Sequence, residues 1–325
     1  MTNPAGTVLL WHFDFNDKGR LGNPQVIQAI ITSILWAMSA VSAGRTTRLL
    51  GAGTANLSRL VLATILLALW AHLFGQGLTG AGLPWLFLSG VIGFGMGDLA
   101  LYGTYRRLGP RLGVLLCLCV AAPLGAIVEW LWLGTTLTGP QIFWSSTILV
   151  GVFAALVPDR RTPVSTRDWF IGIALGVIAA LGQAGGAVFT RKAFDLARDA
   201  GQHIDGGTAA YQRIIGGLLL TAVVLFIHRL HKSPAAPQET VSGDHPWRRA
   251  WPWVIANALC GPAIGVAFYQ WALAVAPTGV VLSIVATTPL VVIPFTMFLD
   301  HEHPTLRSLI GGVLAVLGAV ALAYK

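Results

Sequence analysis

A chain of 325 residues with 55% hydrophobic and only 10% charged side chains, and a mean hydropathy of +0.70, cannot clothe a water-facing surface; soluble domains carry about 25% charged residues. The net charge of +8 does not mark a nucleic-acid binder, because the cations sit in short loops between apolar runs, as at Arg106-Arg107, Arg160-Arg161 and Arg248-Arg249, where membrane topology places them. Cys117, Cys119 and Cys260 all fall inside apolar runs, so they form no disulfide framework and read as small packing residues.

Residues 1–24 are read as an N-terminal tail rather than a signal peptide. The apolar stretch Val8–Phe15 is short and broken by His12 and Asp14, whereas a leader needs a basic start and a clean apolar region. Ten apolar runs follow, at about 25–44, 54–74, 84–104, 111–132, 139–157, 168–190, 208–230, 250–273, 278–299 and 306–324. Each approaches the roughly 20 residues that cross a bilayer core as a helix. Lipid cannot satisfy exposed backbone groups, and the runs are too long for barrel strands, so every run is read as helical. Trp70, Trp85, Trp130, Trp132, Trp169, Trp251 and Trp253 fall near run ends, where indole rings settle. Two polar segments read as linkers: residues 158–167, ending beside Asp168, and Ser233–Pro246, which is expected to be a mobile loop.

Within the runs, Asp98 stands out. It lies eight residues inside its span from Arg106, or roughly 12 Å at a helical rise of 1.5 Å. A carboxylate at that depth is costly and faces a bundle interior or a wet cavity. It either lines a pathway, binding a cationic group or exchanging a proton, or serves structurally by pairing with Arg59; the pathway reading is taken. Tyr102 shares its face, with Tyr105 near the next turn. Arg59 and Arg213 sit a turn or two inside their spans, where snorkelling to headgroups competes with packing, gating or binding an anion. Gln183, Gln212, Tyr269, Gln270 and Trp271 are further candidates for a central cavity, although each also serves as packing glue. Glu129, beside Trp130 and Trp132, is expected at the solvated end of its span. Gly93/Gly97, Gly172/Gly176, Gly182/Gly186 and Gly261/Gly265 are small pairs four apart, the spacing that lets helices approach closely. Pro123 and Pro289 are expected to kink their helices.

The two halves are related. Gly113–Leu156 aligns without a gap on Gly279–Leu322, with Pro123 falling on Pro289; Arg59 and Arg213 occupy matching places, and Gly44-Arg45 matches Thr190-Arg191-Lys192. An odd number of spans in each half makes the repeats inverted, a recurring transporter plan.

These residues carry a resemblance. With Gly97–Leu116 (GDLALYGTYRRLGPRLGVLL) and Leu299–Gly312 (LDHEHPTLRSLIGG), the chain resembles the EamA group of the drug/metabolite transporter superfamily, whose members carry two five-helix repeats. Glu302 stands at the glutamate of the family's turn between fourth and fifth spans. The first half departs from it, with Thr136 at that place in LGTTLT. The resemblance implies an all-α integral membrane protein of about ten transmembrane helices as two inverted five-helix repeats: a first repeat at 25–157, a linker at 158–167 and a second repeat at 168–325. It implies a permease with both termini cytoplasmic, whereas the crowding of Lys and Arg into odd-numbered loops points the other way.

The expected function is therefore a secondary transporter of a small metabolite, an exporter of amino acids or similar compounds, working by alternating access in the cell's inner membrane as a monomer or homodimer. Protons acting through Asp98 are the expected coupling ion. The alternatives are a membrane-embedded non-transport protein, such as an enzyme or assembly partner, and a passive channel. No cofactor, metal or nucleic-acid partner is expected. There is no Walker motif or nucleophile–base constellation, and His301-Glu302-His303 is not the zinc-binding HExxH pattern.

Overall fold

Apolar runs of this length must close their backbone hydrogen bonds internally, and the computed structural model, which describes residues 24–156, 165–231, 246–300 and 306–323, shows helices joined by short turns and no strand among the described residues. Eight helical stretches are long and apolar enough to cross a membrane, and two shorter apolar helices accompany them. In chain order they are α1 (Pro24–Leu50), α2 (Ala52–Leu73), α3 (Leu83–Gly109) and α4 (Leu112–Leu133). Next come α5 (Gly139–Leu156), α6 (Thr166–Asp199), α7 (Gly206–His231) and α8 (Pro246–Val275). The last apolar stretches are α9 (Thr278–Val285), α10 (Thr288–Asp300) and α11 (Leu306–Ala323). The protein is an all-α, multi-pass membrane protein. The tail before Pro24, most of both linkers, and His301-Glu302-His303 lie outside the described residues.

Three boundaries differ from the sequence reading. The linker expected at 158–167 is shorter, because Ser165 caps α6: its Oγ accepts from the Asp168 N–H at 3.1 Å and donates to the Asp168 carboxylate at 2.8 Å. The same helix continues nine residues past the expected stop at 190. Arg191 does not end it, because that guanidinium finds a partner inside the protein. The ninth span is broken, with α9 ending at Val285 and α10 starting at Thr288. Carbonyls at the break are met by hydroxyls: Thr287 Oγ1 donates to Ile284 O, Thr288 Oγ1 to Val285 O, and Ser33 Oγ of α1 to Ile284 O. Pro289 is the second residue of the new helix, where its missing N–H costs nothing. Pro123 behaves differently. The backbone around it keeps helical dihedrals, and α4 tolerates the lost donor as membrane helices do.

Two spans contain a wide, π-type turn. In α3 it covers Val91–Gly97, where the Asp98 N–H reaches back five residues to Gly93 O. In α8 it covers Leu259–Ala263, where the Ile264 N–H reaches Leu259 O across Pro262. Proline removes one donor there and the ladder widens around it. Such turns are frequent at functional sites.

Two of the four expected glycine pairs meet each other. A Cβ on Gly182 of α6 would lie 2.6 Å from the Gly97 Cα of α3, and one on Gly186 would lie 3.4 Å from the Gly93 Cα. The two helices thus cross with backbone against backbone. On the same face of α6, Gly172 and Gly176 receive Leu108 and Leu116. The turn between α3 and α4 rests on Gly109, at φ 78° and ψ 165°, with open space around its would-be Cβ. That region of backbone space belongs to glycine, so Gly109→Ala is expected to lower stability by about 1–3 kcal/mol through strain alone. A melting curve in detergent checks it.

Candidate functional site: a charged cavity at the centre of the bundle

Eight of these helices bring side chains to one cavity of about 80 Å³. That holds a few waters and lies far below the roughly 300–1,000 Å³ of a typical small-molecule site, so this conformation is a tight one. The broken span contributes Thr288, and the wide turn of α3 contributes Gly93, Phe94 and Gly97 immediately before Asp98. Helices α5 and α11 supply no lining residue among those described. They pack on each other, Gly151 against Gly311 and Gly318 against Ile148.

Asp98, Tyr102, Arg59, Arg213 and Gln183 all line this cavity. Asp98 is ion-paired with Arg59 across α3 and α2. Arg59 also donates from Nε to Asn56 Oδ1 at 3.0 Å and lies 5.0 Å from the Tyr102 ring centroid. The Tyr102 hydroxyl accepts from Asn257 Nδ2 at 2.8 Å, and Asn257 Oδ1 accepts from Ser39 Oγ at 2.8 Å. One continuous polar chain therefore ties α2, α3, α8 and α1. On the opposite wall, Gln183 Nε2 donates to the Tyr269 hydroxyl at 3.2 Å, and Tyr269 packs on Trp36 at 5.1 Å. The Arg213 guanidinium lies over the rings of Phe94 and Tyr269, at 5.0 and 5.8 Å.

Of the alternatives left open for Arg59 and Arg213, snorkelling is excluded: they are 6% and 2% exposed. The reason is that a carboxylate and aromatic faces inside the bundle replace the headgroups as their surroundings. Gln212 does not reach the cavity; its amide ties down the loop before α3 by donating to Gly77 O and Thr79 O, both at 2.9 Å. Trp271 packs against Gly206 and Phe268 instead. Gln270 is fully buried without lining the cavity, and neither of its amide atoms has a partner. Pro123 faces a second, open groove of about 480 Å³ between α4, α5 and α9, while Pro289 follows the cavity-lining Thr288.

The largest correction is Glu129. It is 1% exposed, not solvated. Its Oε1 accepts from Arg191 Nε at 3.0 Å and its Oε2 from the Thr278 N–H at 2.6 Å, while Arg191 Nη1 donates to Leu273 O at 2.9 Å. This clamp joins α4, α6 and the junction between α8 and α9. Its neighbours Trp130 and Trp132 are exposed, the latter stacked with Trp85 and Phe189 at centroid distances of 5.2 to 5.5 Å, while Glu129 turns inward. Replacing the carboxylate by an amide keeps the shape and removes the charge. Glu129→Gln is therefore expected to cost about 3–5 kcal/mol, because the Arg191 guanidinium is left as an uncompensated buried charge, read as a lower melting temperature. Sequence reasoning also missed Asn56, Asn257, Ser39 and Arg191. Asn56 alone carried a local signal, being three residues before Arg59 on the same helical face.

Among the described residues no group of three or more His, Cys, Asp or Glu side chains is placed to hold a metal ion.

Residues 170–324 match the model of the EamA-like transporter family. A solved structure described only as "Crystal structure of protein" aligns at a TM-score of 0.66 and 15% identity, over 92% of this chain and 97% of that one. At that identity it speaks for the fold alone. No curated protein matches the chain.

Proposed function

This chain belongs to the EamA-like transporter family, a group of the drug/metabolite transporter superfamily, and we propose that it is a secondary permease that exports amino acids or similar small metabolites by alternating access. The observation that carries this reading is the charged cavity. Asp98, Arg59 and Arg213 meet where eight helices converge, with a broken helix and a wide turn at its wall. Membrane proteins keep such charges where a solute or ion passes, and discontinuous helices at the site are a transporter habit.

The reading has two related halves moving against each other. Support comes from position: the offset that aligns Gly113 on Gly279 also brings the wide turn of α3 onto that of α8. The Glu129–Arg191 clamp fits one gate, and Arg45, at the place matching Arg191, lies 4.2 Å from the Trp253 ring centroid. Proton coupling through Asp98, action as a monomer or homodimer, and residence in the inner membrane belong to the same proposal.

Counterflow in proteoliposomes tests it. Vesicles loaded with unlabelled amino acids should concentrate the labelled compound transiently, with saturable kinetics. Flux that rises linearly with concentration and shows no counterflow supports a passive channel instead.

A further inference from the structure

We propose that the central cavity recognises its substrate through an anionic group bound by Arg213, and so accepts small carboxylates with an apolar body whether or not they carry an amino group. This rests on the transport reading above and narrows it.

The argument begins with the charges on the cavity wall. Three charged side chains line it: Arg59, Asp98 and Arg213. Asp98 and Arg59 neutralise each other directly. Asp98 is thus already engaged, and a substrate ammonium would have to compete with a guanidinium for it. Arg213 remains. It is 2% exposed, its Nε has no hydrogen-bond partner, and it makes no ion pair with an acidic side chain among the described residues. Glu129, the other deeply buried carboxylate, is committed to Arg191. A buried cation that shares its cavity's one carboxylate with a second guanidinium is only partly compensated, which is costly. The rings of Phe94 and Tyr269 offset part of that cost, and an arriving anion would offset the rest.

The surroundings are shaped for the guanidinium. A Cβ on Gly93 would come within 2.5 Å of Arg213 Nη2, and one on Gly186 within 2.8 Å. The crossing of α3 and α6 therefore leaves a slot that the guanidinium tip fills, and a side chain at either glycine would have to displace it. Thr288, first residue of α10, also lines the cavity, so the positive end of that helix dipole adds to the same sign. A planar guanidinium fork matches a carboxylate in two parallel hydrogen bonds. The remaining wall is polar at Ser39, Tyr102, Tyr105 and Gln183. Its apolar part, made by Trp36, Leu101, Val114, Leu118 and Val266, suits an aliphatic or aromatic body. The cavity must widen to admit one.

The test compares matched probes on the purified protein in detergent at constant ionic strength. They are 3-phenylpropionate and L-phenylalanine as carboxylates, 3-phenylpropionamide as the neutral partner, and 2-phenylethylamine as the cation, each at about 10 mM. Ligands that bind only the folded state raise the melting temperature, here by about 2–4 °C for millimolar affinity. The expected result is a rise with both carboxylates and none with the amide or the amine. In Arg213→Gln the rise should vanish, and in Arg213→Lys part of it should return. An equal rise with the amine or the amide, a carboxylate effect that survives intact in a folded Arg213→Gln, or no rise with either carboxylate overturns the proposal. The wild-type comparison decides the matter even where the variants do not fold. Counterflow of a solute that carries no anionic group would overturn the anion assignment while leaving the permease reading standing.

Discussion

Asp98→Asn is expected to abolish transport and to lower stability by about 3–5 kcal/mol, the cost of stripping one partner from a buried ion pair. The side chains of Arg59 and Asp98 are 7% and 17% exposed, so little water screens the guanidinium left behind. Arg213 lines the same cavity and would add repulsion of like sign. Stability and flux can be separated by a second variant. Replacing both partners with apolar residues, Arg59→Met with Asp98→Leu, removes the uncompensated charge, and such replacements are often neutral or stabilising. The double variant should therefore recover most of the melting temperature of the wild type while remaining silent in counterflow. If flux returns with stability, the pair is a structural tie and the proton-coupling proposal falls with it. Under a pH gradient, undiminished flux through Asp98→Asn alone has the same meaning.

The second large effect is expected at the crossing of α3 and α6. Gly182→Leu should prevent accumulation of folded protein, and Gly182→Ala should already lower stability by about 3 kcal/mol, at the upper end of overpacking costs. A methyl group there would stand 2.6 Å from the Gly97 Cα, 2.9 Å from Ile92 O and 3.0 Å from the Gly97 N. All three are backbone atoms, which cannot rotate aside as a side chain can. Separation of the helices would also open the slot that holds the Arg213 guanidinium. Gly185 provides the control, since its would-be Cβ meets nothing nearer than Ile92 Cγ2 at 3.5 Å. Gly185→Ala should leave the melting temperature almost unchanged. Size-exclusion profiles and melting curves of the three variants decide the point, and equal behaviour at 182 and 185 would refute the close crossing.

The difference between what was legible and what was not follows the range of the interactions. Ten apolar runs, their helical state and their approximate ends are written locally, because bilayer thickness sets a length and lipid forbids unpaired backbone. Small residues four apart are equally local, and Gly93/Gly97 and Gly182/Gly186 face each other as that spacing suggests. Asp98 was conspicuous for a comparable reason: a carboxylate eight residues inside an apolar run has few places to go.

Depth and partnership were decided only in the folded bundle. Arg59 and Arg213 stand the same short distance from their helix starts as many snorkelling cations, and nothing nearby in sequence says that an acid and two aromatic rings await them. Glu129 was misread because its neighbours Trp130 and Trp132 favour an interface. Its fate was fixed by Arg191 and the Thr278 N–H, 62 and 149 residues away along the chain. Asn257 and Ser39 pair across 218 residues. A span's hydrophobicity states that a helix crosses the membrane, and that property belongs to one segment. Which of its faces turns inward, and which charge it meets there, depends on how the wide turns and glycine crossings rotate each helix against the others, and that is a property of the assembled bundle.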